Sequence, residues 1–72
     1  MITKEQAVGL EYRQILKSTT LKDSLGRPVQ CRVNGKVKTW ATRPGSFRMP
    51  VKHGLRTCFY ITEDNAKYWE VA

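Results

Sequence analysis

Apolar and polar residues alternate along several short stretches of the chain, a pattern that predicts half-buried β-strands. The clearest runs are Val29 to Val33, Phe47 to Lys52 and Leu55 to Ile61. Val37 to Thr42 is a further strand candidate. Arg13 to Ser18, which two threonines follow, is predicted as the first strand. The pattern therefore indicates four or five short strands.

The sequence also predicts the position of Pro50 in the sheet and the two faces of the last strand. Pro50 has no backbone N–H, so we expect it at a sheet edge or at a β-bulge. The alternation in the last strand puts Leu55, Thr57, Phe59 and Ile61 on one face and Arg56, Cys58 and Tyr60 on the other. Turn chemistry separates the strands at 22–28, 43–46 and 53–54, where Gly, Pro, Asp and Ser concentrate.

Helix-start signals lie at both ends of the chain. A capping box with a hydrophobic staple is predicted from Ile2, Thr3, Gln6 and Ala7. Gly9 predicts that this helix ends near Leu10, although the pattern also allows it to continue to Leu16. The segment Ile61 to Ala66 repeats the same signal and predicts a short helical turn. Beyond that turn, Trp69 and Val71 are expected to fold back onto the core.

These elements predict a mainly β (α+β) domain that covers residues 1–72 without a second domain. A chain this short buries only about 60% of its unfolded surface, so its core is small. We expect a small SH3-like barrel or a strongly bent antiparallel sheet of four or five strands. A short N-terminal helix and a short C-terminal helical turn flank the strands, and an open α+β sheet is the alternative.

The dipeptide Asn34-Gly35 is a strong local hairpin signal, and two registers are possible there. A two-residue turn would place lysines on the same face as valines, which is poor patterning for a half-buried sheet. In a three-residue loop, Gly35 is left-handed in a G1 bulge and Arg32 lies opposite Lys36. We expect this second register. It turns Val29, Cys31, Val37 and Ala41 inward, and Arg32, Lys36, Lys38 and Trp40 outward.

The charge of the chain bears on its partner. The formal net charge is +7, and there is no Asp or Glu between Ser24 and Thr62. Such a balance predicts an anionic partner, although a merely solvated surface would also be basic. Like charges facing each other on one sheet face would cost stability that an anionic partner restores. The predicted binding residues are Arg32, Lys36, Lys38, Trp40, Arg43, Arg48 and Lys52.

Nucleic acid is the first partner that these residues predict, since cations neutralise phosphates and aromatic rings stack on unpaired bases. Trp40 is the first stacking candidate and Tyr60 the second, with burial in the core as the other interpretation of Trp40. Arg43 could instead pack on Trp40 as a cation–π pair. An acidic protein surface is the second partner class, since arginines and an aromatic anchor suit carboxylates as well.

Catalytic and metal signals are weak. His53 and Cys58 are the only pair resembling a base and a nucleophile, and Cys58 is predicted in a strand beside an aromatic residue. No close cysteine pair or phosphate loop is present. We therefore expect a binding protein rather than an enzyme, with no cofactor and no metal. Cys31 and Cys58 are expected to be reduced and buried as small apolar residues.

The N-terminal residues lack the apolar run of a signal peptide, and no stretch approaches the length of a membrane span. We expect a cytoplasmic protein with no membrane partner.

The sequence also carries a recognisable series of motifs. These are RVNGKVKTW at 32–40, TRP at 42–44, FR at 47–48, PVKHGL at 50–55 and FYIT at 59–62. In this series the chain resembles a group of short uncharacterised proteins of tailed phages and prophages, over roughly Gly26 to Trp69. The resemblance implies an intracellular protein made in an infected bacterium. Small phage proteins of this size are often nucleic-acid binders or inhibitors of host enzymes, and the resemblance assigns no residue a role.

Overall fold

A computed structural model describes all residues from 1 to 72. Helix α1 covers Lys4–Gly9. The strands are β1 (Ile15–Lys22), β2 (Pro28–Val33), β3 (Lys38–Thr39), β4 (Phe47–His53), β5 (Thr57–Thr62) and β6 (Trp69–Val71), with a 3₁₀ turn at Ala66–Tyr68. Strands hold 44% of the residues and helices 12%, which confirms the mainly β prediction.

All six strands form one antiparallel sheet in which β4 is central. β5 follows one edge of β4 along its length, while β2 and β3 share the other edge. β1 then pairs with β2, and β6 pairs with β1. β5 and β6 are not hydrogen-bonded to each other, yet Phe59 and Trp69 on these strands have ring centroids 5.6 Å apart. The sheet is therefore strongly bent, without a ladder that closes it.

The core lies inside this bend. Phe47, Met49 and Val51 from β4 are fully buried, as the alternation in this strand predicted. They pack with Ile2, Ala7, Leu16, Cys31, Val33, Ile61, Ala66 and Trp69. Burial of β4 on this side holds its solvent-facing side chains on a rigid backbone, which is what positions the candidate site.

The N-terminal helix is formed as its sequence predicted. The Thr3 hydroxyl accepts the Gln6 N–H at 3.2 Å, and the Gln6 side chain accepts the Thr3 N–H at 3.0 Å. These two bonds satisfy otherwise orphaned donors of the first turn. The helix ends at Gly9 with Leu10 as its C-cap, so the alternative of a helix reaching Leu16 is wrong.

The predicted hairpin at Asn34-Gly35 is also wrong. β2 and β3 do not pair with each other; both run antiparallel to β4 along the same edge. Arg32 lies opposite Lys52, and Lys38 lies opposite Arg48. The chain therefore continues in one direction from β2 to β3, and Arg32 has no contact in register with Lys36. Cys31 pairs with Leu16 of β1 rather than with Val37.

A bulge replaces the turn. Asn34 to Val37, four residues, lie between the two pairings, where β4 contributes only Met49 and Pro50. The Pro50 carbonyl accepts the Asn34 N–H at 2.8 Å. Because N–H and C=O of one strand residue point to the same side, the missing N–H of Pro50 would also face the bulge. The ladder is interrupted where proline cannot donate, so of the two expected positions, a sheet edge or a bulge, Pro50 lies opposite a bulge.

Gly35 is required here for a reason that the hairpin interpretation missed. Its φ is not positive, unlike that of Gly26, Gly45 and Gly54, so it is not the left-handed residue of a G1 bulge. A Cβ built on Gly35 would lie 2.9 Å from Cγ of Pro50. The glycine permits close approach of the bulge backbone to the Pro50 ring rather than an unusual dihedral angle.

Several burial predictions fail around these segments. Ala41, which was expected to point inward, is exposed because β3 ends at Thr39. Val33, which the expected register did not place among the inward residues, is buried as the last residue of β2. Leu55 is 91% exposed since it lies in the β4–β5 turn, outside the strand. Cys31 is buried as expected, but Cys58 is exposed because it faces outward from β5.

Candidate nucleic-acid interface

The solvent side of β4 carries alternate residues of the strand. Phe47, Met49 and Val51 point into the core, so Arg48 and Lys52 point outward with Pro50 between them. Arg48 is exposed and Lys52 is half-buried. Since successive outward residues of a strand are about 7 Å apart, the two cations mark rows about 13 Å apart.

Each of these cations faces another cation across the sheet. Lys38 of β3 lies opposite Arg48, and Arg32 of β2 lies opposite Lys52. None of the four takes part in an ion pair; the pairs present are Lys17–Glu70 at 3.5 Å and Arg43–Glu63 at 3.9 Å. Like charges directly opposite each other destabilise a sheet. The fold therefore keeps two like-charged cross-strand pairs on one face of the sheet.

An aromatic ring lies between the two charged rows. Tyr60 of β5 is opposite Pro50, is 51% exposed, and has the Arg48 Cζ atom 4.8 Å from its ring centroid. We call Arg32, Lys38, Arg48, Lys52 and Tyr60 the basic face. Cations that flank an exposed ring on a sheet are the combination that single-stranded nucleic acids use, with phosphates on the charges and a base on the ring.

Trp40 lies just beyond β3, at the Lys38–Arg48 end of the basic face. It is half-buried, with the Lys38 Nζ atom 5.5 Å and the Arg43 Cζ atom 5.8 Å from its ring centroid. The predicted cation–π contact of Arg43 with Trp40 is therefore present. Tyr60 is the more accessible ring, while Trp40 belongs neither to the core nor to the open surface.

Arg43 is the one predicted binding cation that has an acidic partner. Glu63 accepts the Phe47 N–H at 3.2 Å through Oε2, and its Oε1 lies 3.9 Å from the Arg43 guanidinium. Backbone hydrogen bonds, first from Glu63 itself and then from Phe47, lower the pKa of the Glu63 carboxyl, with help from Ser46 and Arg43. This carboxylate fastens the turn before β4 and leaves Arg43 partly neutralised.

Lys36 lies in the bulge beside the basic face and is exposed. The structure thus brings together four of the seven predicted residues, Arg32, Lys38, Arg48 and Lys52, on one face. Lys36 lies along its edge, and Trp40 and Arg43 lie at its end. These four cations share a face because β2 and β3 both pair with β4, and not because of the expected hairpin. Tyr60 was ranked second from sequence because nothing local shows that it faces Pro50 between the charged rows.

A cleft opens at the other end of the basic face. β2 and β4 pair only at Arg32 and Val33, and beyond Lys52 the two strands diverge around a cavity of about 850 Å³. The His53 Nδ1 atom bridges the gap to the Gln30 carbonyl at 2.7 Å. The cleft is also lined by Tyr12, Arg13 and Arg27, residues that sequence patterns did not single out.

The remaining chemical groups are dispersed. His53 shares the inward-facing parity of Val51, whereas Cys58 faces outward opposite Lys52, so this pair does not meet. Burial raises the pKa of the Cys31 thiol to about 12. No group of three or more His, Cys, Asp and Glu side chains is arranged to hold a metal ion. None of the helices has the length and apolar character needed to cross a membrane.

Comparisons of the chain with protein-family models, with curated proteins and with solved structures found no match.

Proposed function

We propose that this protein binds single-stranded RNA or DNA through the basic face. The observation that carries the proposal is the presence of two like-charged cross-strand pairs, Lys38 opposite Arg48 and Arg32 opposite Lys52, without an acidic partner. Each like-charged pair is expected to lower the stability of the free protein by an amount that a polyanion would restore. A surface optimised only for solubility would gain from mixing the two signs of charge.

The shape of the face favours a single strand over a duplex. Bases of a single strand are free to stack, and Tyr60 offers an exposed ring between the two rows of cations. Trp40 extends the stacking surface at one end, where Lys38 and Arg43 flank it. A duplex is usually read by a helix or a β-ribbon inserted into the major groove, and α1 has only six residues.

The salt dependence of this binding follows from the number of cations. The four cations of the basic face and Lys36 make five phosphate contacts possible, which predicts a slope of about −3.5 in log K against log salt for a single strand. Affinity should then fall about 100-fold between 50 and 200 mM salt.

The decisive variant is Lys38→Glu. It replaces the like-charged Lys38–Arg48 cross-strand pair by an oppositely charged one, so the free energy of unfolding should rise by about 0.2–1 kcal/mol. Affinity for a labelled oligonucleotide should fall and the salt slope should become shallower, as measured by fluorescence anisotropy. Lys67→Glu is the matched control, since it changes the net charge equally in the 3₁₀ turn, away from the basic face. Equal loss of affinity in both variants would show general charge attraction and contradict the proposal.

An acidic protein surface is the competing partner, because the same cations would bind carboxylates. A pull-down with the tagged chain, with and without nuclease, separates the two. Partners that persist after nuclease treatment would favour a protein-interaction module or an inhibitor of a host enzyme. The phage relationship, the cytoplasmic location and the likeness to SH3 barrels stay predictions from the sequence.

A further inference from the structure

The cleft at the Arg32–Lys52 end of the basic face is positively charged. Its lining includes Arg13, Arg32 and Lys52, none of which is in an ion pair. The single acid in the lining is Asp23, whose Oδ1 accepts the N–H groups of Leu25 and Arg27, each at 2.9 Å. That carboxylate is used by its own turn, so the cleft presents an excess of positive charge to any ligand.

Arg13 is held at this cleft in an unusual backbone conformation. Its φ is +67°, and it is the one residue other than glycine with a positive φ in the chain. Hydrogen bonds fix it on both sides: the Arg13 N–H donates to the Val33 carbonyl at 2.8 Å, and the Val33 N–H donates to the Gln14 carbonyl at 3.0 Å. Such strain persists only where surrounding contacts impose it, and it concentrates at ligand sites.

Two rings accompany these cations. Tyr12 is 64% exposed, with the Arg13 Cζ atom 5.4 Å from its ring centroid. The Gln30 carbonyl can only accept a hydrogen bond, so the His53 Nδ1 atom must carry a proton, and the His53 Nε2 atom has no partner. The cleft thus combines charges for a phosphate, an exposed ring for stacking, and a free imidazole nitrogen for a polar ring edge or a hydroxyl.

We propose that this cleft binds one nucleotide, with its phosphate on Arg13, Arg32 and Lys52 and its base against Tyr12. A volume of about 850 Å³ is within the range of small-molecule sites. Arg32 and Lys52 belong to both the cleft and the basic face, so a strand lying on the face leads into the cleft. The choice of a nucleotide as ligand rests on the proposed nucleic-acid function.

The test is a set of three separate titrations of the ¹⁵N-labelled protein, with AMP, with inorganic phosphate and with adenosine, each monitored by NMR. AMP should shift the amide signals of Tyr12, Gln30 and His53. It should bind at least about fivefold more tightly than phosphate, because stacking adds to the ionic contact. Equal affinity for AMP and phosphate, or shifts outside the cleft, would overturn the proposal.

Arg13→Gly is the matching variant, because glycine adopts the same φ without strain and the cleft backbone is kept. It should weaken AMP binding at least about tenfold, as expected for loss of a charge-assisted phosphate contact. Lys67→Gln, which removes a charge elsewhere, should leave AMP binding unchanged. AMP binding that survives Arg13→Gly would contradict the assignment.

Failure of the cleft and failure of the basic face give different results. If an oligonucleotide binds with the sensitivity to Lys38→Glu described above but AMP does not bind, the cleft proposal is wrong and the proposed function stands. If AMP binds but no oligonucleotide does, the cleft takes free nucleotides and the basic face has another partner. An oligonucleotide that displaces AMP and is weakened by both Lys38→Glu and Arg13→Gly identifies the strand as the source of the nucleotide.

Discussion

Replacing Gly35 by alanine places a methyl group where β4 and the bulge come closest. The new Cβ would lie 2.9 Å from Cγ of Pro50. Carbon atoms in contact normally lie about 3.5–4.0 Å apart, so the bulge or the proline ring has to move by more than half an ångström. The atom that the methyl group meets belongs to a closed ring in the central strand, whose movement is limited to a change of pucker, so it yields less than the end of a flexible side chain.

The cost follows from two opposing effects. Overpacking a well-filled site costs about 1–3 kcal/mol. Alanine recovers about 0.4–1 kcal/mol by reducing the entropy of the unfolded chain. The net prediction is a loss of about 1–2 kcal/mol in the free energy of unfolding, which lowers the Tm of a domain of this size by roughly 5–15 °C.

Urea denaturation followed by tryptophan fluorescence, to which the half-buried Trp40 and the buried Trp69 both contribute, measures this loss. Gly9→Ala is the matched control, because nothing lies within 4 Å of a Cβ at Gly9 and its φ is not positive. That variant should be more stable than the wild type by about 0.4–1 kcal/mol. The Pro50→Ala background removes Cγ and keeps Cβ, which lies 3.8 Å from the new methyl group. In that background, Gly35→Ala should cost about 1 kcal/mol less.

The Gly35→Asn variant distinguishes two explanations for the glycine, namely close approach to the Pro50 ring and a left-handed backbone conformation. Asparagine tolerates the left-handed conformation, so a G1 bulge would make Gly35→Asn milder than Gly35→Ala. Close approach predicts that Gly35→Asn is at least as harmful as Gly35→Ala. A milder asparagine variant, or an alanine variant as stable as the wild type, would refute the role given to Gly35.

Three further outcomes are expected. Arg13→Gly should raise the free energy of unfolding by about 0.5–1 kcal/mol, because relief of left-handed strain exceeds the added chain entropy; a less stable variant would contradict the strain. The pKa of Glu63 is lowered on folding, so the folded state binds fewer protons than the unfolded state. The contribution of the Glu63 carboxylate to the free energy of unfolding is therefore complete above the ordinary pKa of 4.5 and is lost as pH falls below that value. Acid titration of stability should therefore be steeper below pH 4.5 for the wild type than for Glu63→Gln, and parallel curves would exclude this contribution. A thiol reagent should modify exposed Cys58 in the folded protein and reach Cys31, whose pKa burial raises to about 12, only on unfolding; equal rates for both thiols would show that Cys31 is accessible.

Local and periodic features of the fold were predictable from the sequence. Alternation placed Phe47, Met49 and Val51 in the core, and the Thr3–Gln6 spacing identified the capping box, because both depend on residues close together in the chain.

The pairing of β2 was mispredicted, because Asn34-Gly35 carries a strong local turn signal that pairing with the distant strand β4 overrides. The signal that could have corrected it is Pro50. A central-strand proline needs an interruption in its neighbour, and a glycine fits close to its ring. The Arg13 conformation has no sequence signature, because arginine disfavours a positive φ and hydrogen bonding with Val33 imposes it.

The bulge also determines which changes of length the chain tolerates. Four residues, Asn34 to Val37, occupy the space opposite two, so the surplus is even and alternation is preserved from β2 into β3. Arg32 and Lys38 therefore point to the same side of the sheet although an irregular segment separates them. Deletion of one residue there would turn Lys38 toward the core, whereas deletion of two would keep its side. The charge pattern of the basic face thus depends on whether the number of residues in the bulge is even or odd, although the bulge contributes none of the cations of that face.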